Sequence, residues 1–327
     1  MRVSVVVPTF NAGPGFEELL RLLCAQVGDF ESEVLVVDSG STDGTVELAR
    51  RYGAAVRGIE KSTFNHGATR NLGISLTGGE YVALIVQDAL PLDGRWLAAM
   101  VENLEGDERV AGVYGRQVPR PESSALARAV VDNLHTALPE RREQFADSPE
   151  GYRRIPPAQR RSLATFDNVS SCLRRSIWEL APFQETDFGE DLRWGERVVS
   201  LGYKLVYEPR SAVFHSHERG LAYDLRRNYV GQLVVSDLFG FEPVPNLWRL
   251  LVAILASFAH VCYLLYRGER SKGRRPRPVE LLRFGALAFK HVVPAQVGVY
   301  LGSKSVSDKG WSPALSRRVH GFLSKGI

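Results

Sequence analysis

Cysteine is scarce in this chain of 327 residues: Cys24, Cys172 and Cys262 lie far apart, in no C-x-x-C spacing and in odd number. Such a set reads as reduced thiols of a cytosolic protein and not as a disulfide framework. The loop after the second apolar run lacks G-x-G-x-x-G, and G-x-x-x-x-G-K-[ST] occurs nowhere, which leaves dinucleotide and P-loop chemistry poorly supported. No charged leader, apolar core and cleavage site precede the first apolar run, so a cytoplasmic protein is expected. A strong charge of one sign is missing too. With a net charge of +4 and a pI near 9.0, the excess is too mild for a nucleic-acid coat, and no nucleic-acid partner is expected.

What is present is globular: 44% hydrophobic and 24% charged residues, in a length that holds one large domain plus an appendage. The organising stretch is 80–91, where the apolar run 81–86 delivers Asp88 to its end. A run without polar interruptions suits a parallel strand covered on both faces, and ligands gather at the carboxyl ends of such strands. An aspartate there also caps turns, so its meaning depends on what else arrives. Upstream, 3–7 is a strand stopped by Pro8, 16–26 a helix with Phe16, Leu19, Leu20 and Leu23 on one face, and 33–37 a second strand. A helix over 46–52 follows, capped by Ser41 or Thr42 and closed by Gly53, completing a right-handed βαβ start. The small polar loop 38–45 suits a nucleotide, through backbone N–H groups and Asp38, and suits a capped turn equally well. Just before the organising strand, Phe64-Asn65-His66-Gly67-Ala68-Thr69-Arg70-Asn71 concentrates polar side chains. Arg70 has the planar fork to clamp a phosphate; alternatively, Arg70 and Asn71 satisfy backbone carbonyls.

In this order, Val7-Pro8-Thr9-Phe10-Asn11, Val36-Val37-Asp38-Ser39-Gly40-Ser41-Thr42-Asp43-Gly44-Thr45, Thr69-Arg70-Asn71 and the strand ending near Asp88 resemble family 2 inverting glycosyltransferases of the GT-A fold. The spellings at 64–71 and at Gln87-Asp88-Ala89 look most like the rhamnosyltransferase branch. The resemblance implies an α/β fold, a GT-A (Rossmann-like), mostly parallel sheet flanked by helices. It implies a nucleotide-diphosphate sugar across the strand ends. Thr9 and Asn11 would lie near the nucleotide, Asp38 would hydrogen-bond the base, Arg70 would approach the diphosphate and Asp88 would hold the divalent metal, with Ser39, Asn71 and Gln87 also among the residues that bind the nucleotide sugar. Two departures stand out: the usual acidic pair after the second strand is Asp38-Ser39, and the usual D-x-D is Val86-Gln87-Asp88. One carboxylate with phosphate oxygens can still hold Mg²⁺ or Mn²⁺.

The second half predicts a helix over 96–104, a strand over 110–115, a helical pattern over 123–138, and a polar, arginine-rich excursion over 139–161. Organisation returns at 166–172 and in a short helix over 174–180. Glu190-Asp191 then directly precedes a helix over 192–201 ended by Gly202. The helix dipole alone favours acids there, but a carboxylate facing a dry site can also accept a hydroxyl proton. The pair matches the family's acidic motif, so Asp191 is the expected catalytic base and Glu190 its neighbour. After a strand over 203–207, His215-Ser216-His217 stands where the family places a late histidine. On a strand, residues two apart share a side, so His215 and His217 are expected to join Asp88 on the metal or to meet the leaving diphosphate.

From residue 246 the character changes. The stretch 247–266 is apolar, its uninterrupted portion close to 16 residues, and 267–277 carries a basic cluster. This combination suits a helix lying in the headgroup region of an anionic leaflet, or packing on the catalytic domain or on a second subunit as a homodimer. A membrane span, which needs about 20 residues, is the least favoured. A second helical pattern covers 279–290. The expectation is therefore a catalytic domain over 1–240, with a nucleotide-sugar half to about 118, an acceptor half beyond it, and a helical tail over 241–327. The reaction expected from the resemblance is transfer of rhamnose from dTDP-rhamnose to a hydroxyl of a lipid-linked cell-surface glycan, at the inner face of the membrane through 247–277. A UDP-hexose donor, or a scaffold that binds sugar nucleotide without turnover, are the alternatives.

Overall fold

The computed structural model describes residues 1–218, 220–306 and 313–324. The chain separates into two compact units: 1–118 with 135–215, and 119–134 with 216–327.

The first unit holds every strand among the described residues: β1 (Arg2–Thr9), β2 (Glu31–Asp38), β3 (Ala55–Gly58), β4 (Tyr81–Ile85), β5 (Leu90–Pro91), β6 (Val110–Val118), β7 (Arg142–Gln144), β8 (Ser170–Arg174) and β9 (Lys204–Phe214). The helices up to residue 200 are α1 (Phe16–Cys24), α2 (Thr45–Arg51), α3 (His66–Ser75), α4 (Trp96–Gly106), α5 (Ala125–Asp132), α6 (Pro149–Arg154), α7 (Pro157–Leu163), α8 (Arg175–Leu180) and α9 (Glu190–Ser200), of which α5 belongs to the second unit. One sheet runs β3-β2-β1-β4-β8-β6-β9-β5, with β7 on β9. Its first four strands are parallel, as are β6 and β9, while β8 is inserted antiparallel between β4 and β6.

Alternation along the strands builds a core on each face. Val5, Val7, Val36, Ala83 and Ile85 pack with Phe16, Leu19, Leu20 and Leu23 of α1. Val6, Val37, Val82 and Leu84 pack with Ile74 of α3 and with Trp194 and Val198 of α9. All five residues of β4 are buried, which is why this strand reads as a continuous apolar run. Each large side chain so buried contributes roughly 1.5–3 kcal/mol.

Among the differences from expectation are three stretches of the first 215 residues. The excursion 139–161 is ordered into β7, α6 and α7; Ser148 Oγ accepts the Gly151 N–H at 2.9 Å and Pro149 opens α6, a start signal that the arginines obscure. The 123–138 pattern breaks into the eight residues of α5, started by Ser124 Oγ accepting the Ala127 N–H at 3.2 Å, and a 3₁₀ turn at His135–Ala137. The strand expected at 203–207 runs on to Phe214 and stops there. His215 and His217 therefore follow the strand, and strand alternation does not account for their approach to one another.

The second unit is helical, with α5, α10 (Leu221–Phe239), α11 (Leu247–Ser271), α12 (Pro278–Val306) and α13 (Pro313–Leu323). Ala129, Val261, Leu265, Phe284, Ala288 and Val292 form its core. Gly298 and Gly302 let α12 close on α10: a Cβ would stand 2.3 Å from Leu225 O and 2.7 Å from Tyr229 O, respectively. α11 has 25 residues, so at about 1.5 Å per residue it is longer than a bilayer core is thick. By length and composition it can cross a membrane; its most apolar window has mean hydropathy 1.8 and is 6% buried.

Candidate active site

The carboxyl ends of β1, β2, β4, β6 and β9 share one edge of the sheet. Because β8 is antiparallel, its beginning lies at that edge too. The edge carries Thr9, Asp38, Asp88, Gln117 and His215 from the parallel strands, and Asp167 and Asn168 from the approach to β8. Asn168 Nδ2 donates to Glu190 Oε1 at 3.1 Å, bringing the start of α9 to the same place.

The residues expected at the nucleotide are engaged with one another. Asp38 is 3% exposed. Its carboxylate accepts the backbone N–H groups of Gly40 (3.0 Å) and Ser41 (2.9 Å) and the hydroxyls of Thr9 (2.9 Å) and Ser41 (2.5 Å). Ser39 is buried and donates from Oγ to Thr9 O at 2.9 Å. Asn11 adopts a left-handed backbone (φ 44°); its Oδ1 accepts the Thr42 N–H at 2.9 Å, and its own N–H donates to Ser41 Oγ at 2.8 Å. These bonds lock the loops after β1 and β2 into one rim, on which Asn11, Gly40 and Thr42 are exposed. Gln87 accepts the Phe10 N–H at 2.8 Å and donates to Phe10 O at 3.2 Å, tying the end of β4 to the end of β1.

Residues 65–71 grip the segment that carries Glu190 and Asp191. Asn65 Oδ1 accepts the N–H groups of Gly67 and Ala68, capping α3, and also that of Thr186 at 3.0 Å. Asn71 accepts from Trp178 Nε1 (2.9 Å) and Phe183 N (3.1 Å) and donates to Phe183 O (2.8 Å), so both ends of its amide are engaged by the protein. Gly67 is required by proximity, since a Cβ there would stand 2.0 Å from Gln184 O. Arg70 is 5% exposed and turned inward: its Nη1 lies 3.1 Å from Glu190 Oε1 and donates to His66 O at 3.1 Å. The contacts Arg70 and Asn71 make in the structure are to protein groups, Arg70 to Glu190 and His66 and Asn71 to Trp178 and Phe183.

Glu190 and Asp191 are neighbours with opposite electrostatics. Burial of Glu190 raises its pKa, but Arg70, His66 and the Asn168 amide together hold it below the usual value. Asp191 is pushed up to about 8, by burial first and then by the carboxylates of Glu190 and Asp167. Its Oδ1 accepts the Leu192 N–H at 2.7 Å. Environments that drive two adjacent acids apart assign them different chemistry.

Asp88, His215 and His217 each offer one ligand atom, and these atoms lie within 4.8 Å of one another. His215 is buried and His217 exposed, while the Asp88 side chain is 38% exposed, with Oδ1 3.8 Å from His215 Nε2. A carboxylate and two imidazoles are a donor set suited to a divalent transition ion, more nitrogen-rich than magnesium prefers. Behind them, His215 Nδ1 is 2.8 Å from Gln117 Oε1, and Gln117 Nε2 donates to Asp167 Oδ2 at 2.7 Å.

Sequence reasoning passed over Gln117, Asp167 and Asn168. Asp167 and Asn168 lie in a segment marked only as organised, and no local pattern says that the strand after them is antiparallel. Gln117 carries no signal of its own.

The profile of glycosyl transferase family 2 matches residues 4–161. Over 223 residues the chain is 29% identical to the O-antigen chain rhamnosyltransferase RfbN of Salmonella typhimurium, covering 66% of this chain and 67% of that protein. It is 31% identical over 219 residues to the O-antigen chain rhamnosyltransferase WbaN of Salmonella anatum, covering 65% and 66%. The alignments thus span about two thirds of each relative's length. Residues 1–349 of S. aureus TarS superpose with a TM-score of 0.50 at 16% identity, over 93% of this chain and 91% of that one. That likeness is one of fold, and it agrees with the expected α/β, GT-A architecture.

Proposed function

The chain is a member of glycosyl transferase family 2, and from that premise we propose that it moves a deoxyhexose, L-rhamnose from dTDP-rhamnose, to a hydroxyl of a growing, lipid-linked cell-surface glycan, with inversion. The observation that carries the reading is the divergence of Glu190 and Asp191 at the sheet edge that bears Asp88 and His215. The names of RfbN and WbaN support rhamnose as the sugar.

Asp191 is the base. The acceptor oxygen attacks the anomeric carbon, its proton passes to the Asp191 carboxylate, and the bond from that carbon to the diphosphate breaks on the opposite face. A raised pKa makes Asp191 the stronger proton acceptor of the pair once it is ionised. Glu190, held as an anion by Arg70, fixes the start of α9 and keeps Asp191 basic. Asp88, His215 and His217 would hold a divalent cation, with Mn²⁺ favoured over Mg²⁺ by the two imidazoles. When bound, that ion supplies neutralisation of the departing diphosphate. Thr9, Asn11, Asp38 and Ser39 shape the nucleotide rim, and Gln87 holds its floor.

The test is a thermal-shift screen over nucleotide sugars with Mn²⁺ or Mg²⁺. A ligand at 100 times its Kd raises stability by about 2.7 kcal/mol, so dTDP-rhamnose is expected to raise Tm above every other donor. Selective stabilisation by a UDP-hexose would replace the rhamnose assignment.

α11 and the basic run 267–277 fit an anionic membrane surface. Leu247, Trp248 and Leu255 on α11 are more than half exposed, and Arg267, Arg270, Lys272, Arg274, Arg275 and Arg277 follow. Each basic residue near an anionic leaflet contributes about 1 kcal/mol, lost with salt. The full chain should sediment with phosphatidylserine vesicles at low salt and less at high salt. Failure to bind them, with a dimer in solution, would assign this face to a second copy of the chain.

A further inference from the structure

Behind the Asp88–His215 pair stands a hydrogen-bonded line whose chemistry leaves one arrangement. An ionised carboxylate only accepts hydrogen bonds. Asp167 Oδ1 accepts the Val169 N–H at 2.9 Å, and Oδ2 faces the Gln117 amide at 2.7 Å. The end of Gln117 toward Asp167 must therefore be its NH₂, and the end toward His215 its carbonyl oxygen. This orientation follows from the chemistry of the partner and not from the shape of the amide, whose two ends look alike. A carbonyl oxygen also only accepts, so His215 Nδ1, 2.8 Å away, must carry the ring proton. In a neutral imidazole, Nε2 is then the unprotonated nitrogen, and it is the one on the side of Asp88, 3.8 Å from Oδ1.

We propose that Gln117 is a positioning residue, held in orientation by Asp167, that keeps His215 in the Nδ1–H tautomer and so presents the Nε2 lone pair to a divalent cation shared with Asp88. The inference rests on the reading of His215 as a cation ligand given above. Gln117 and His215 are 5% and 8% exposed, so water does not compete freely for the amide. The side-chain type fits the task. Glutamate at 117 would face a second carboxylate at Asp167, and leucine would leave the ring tautomer unspecified. Asp167 serves two groups at once, because its charge is also among the causes that raise Asp191.

The experiment is long-range ¹H–¹⁵N correlation NMR of histidine-labelled full-length protein in mildly alkaline buffer, with and without Mn²⁺. The expected wild-type result is His215 protonated at Nδ1 alone, with its signals broadened by substoichiometric Mn²⁺. Gln117→Leu should mix the two tautomers and weaken Mn²⁺ binding about 10- to 100-fold, the range typical of a lost partner behind a metal-bound histidine. Asp167→Ala, which frees the amide to turn over, should mix the tautomers as well. A wild-type His215 protonated at Nε2, or a tautomer unmoved by both substitutions, overturns the proposal. An Nδ1–H tautomer with no effect of Mn²⁺ would keep the role of Gln117 in fixing the ring and overturn the cation-site reading instead.

Discussion

Arg70 Nη1 lies 3.1 Å from Glu190 Oε1, with the two side chains 6% and 7% exposed. The pair joins α3 to α9 in the interior. It holds two adjacent acids apart in pKa: Glu190 stays below its usual value beside Arg70, while burial first, and then the carboxylates of Glu190 and Asp167, raise Asp191.

The first expectation concerns pH. Asp191 in the folded, unliganded protein titrates near 8, so kcat/KM should rise with pH through about 8, where the base becomes ionised. Glu190→Gln removes a negative neighbour and should move this limb to lower pH. Asp191→Asn should abolish transfer while dTDP-rhamnose still binds; unchanged turnover would remove Asp191 as the base. The stability sign is opposite to that of an ordinary salt-bridged aspartate. The folded state holds a proton that the unfolded chain releases, so this contribution is complete below about pH 4 and is lost as pH rises through about 8. Asp191→Asn should therefore raise Tm more at about pH 9 than at about pH 5, as read by thermal melts in matched buffers.

Removing Arg70 should be costly in a way that a surface cation is not. Arg70→Met leaves Glu190 buried without its cation, which costs about 3–5 kcal/mol. Arg70→Met with Glu190→Met together should recover much of that loss, because no uncompensated charge remains. Urea unfolding measures both. A single-variant cost below about 1 kcal/mol would mean that the pair is not formed in solution, and Arg70 would return as a candidate for the diphosphate.

Close approach is tested at Gly67. Its Cβ position is 2.0 Å from Gln184 O, and backbone cannot move as a flexible side-chain end would. Gly67→Ala should push residues 183–191 away from α3, costing about 1–3 kcal/mol in stability and lowering kcat by at least tenfold through misplacement of Asp191. An unaltered kcat would detach the grip of α3 from catalysis.

How much of this was legible in the sequence follows from how local each feature is. β1, β2 and β4 announce themselves because strands buried on both faces are apolar throughout, and Glu190-Asp191 stands at a helix start that Gly202 closes at the other end. β3 was missed: Ala55–Gly58 is a mostly exposed edge strand of four residues without an apolar signature. Asp167 and Gln117 were missed for a different reason. They matter only because β8 pairs antiparallel between β4 and β6, and pairing partners are not written in either segment. Arg70 and Asn71 were legible as polar residues facing something, but whether that was phosphate or protein depended on residues 183–190, more than a hundred positions away.

The last expectation concerns the missing first acid of the metal motif. Position 86 is valine, and it is packed against the core formed by α1 and the sheet. Gln87, the residue between, is held at both ends by the Phe10 backbone. Val86→Asp should therefore not restore a second carboxylate ligand. It should bury a charge beside apolar neighbours, cost at least about 1–3 kcal/mol, and leave Mn²⁺ affinity unimproved. Asp88→Asn, by contrast, removes the single carboxylate of the Asp88–His215–His217 set and should weaken Mn²⁺ binding at least tenfold with little change in Tm, because the Asp88 side chain is 38% exposed. Calorimetric titration of Mn²⁺ into both variants separates the two cases. Tighter binding in Val86→Asp would mean that the end of β4 can turn its packed side chain toward the site, and the histidines would then be auxiliary ligands to a conventional acidic pair.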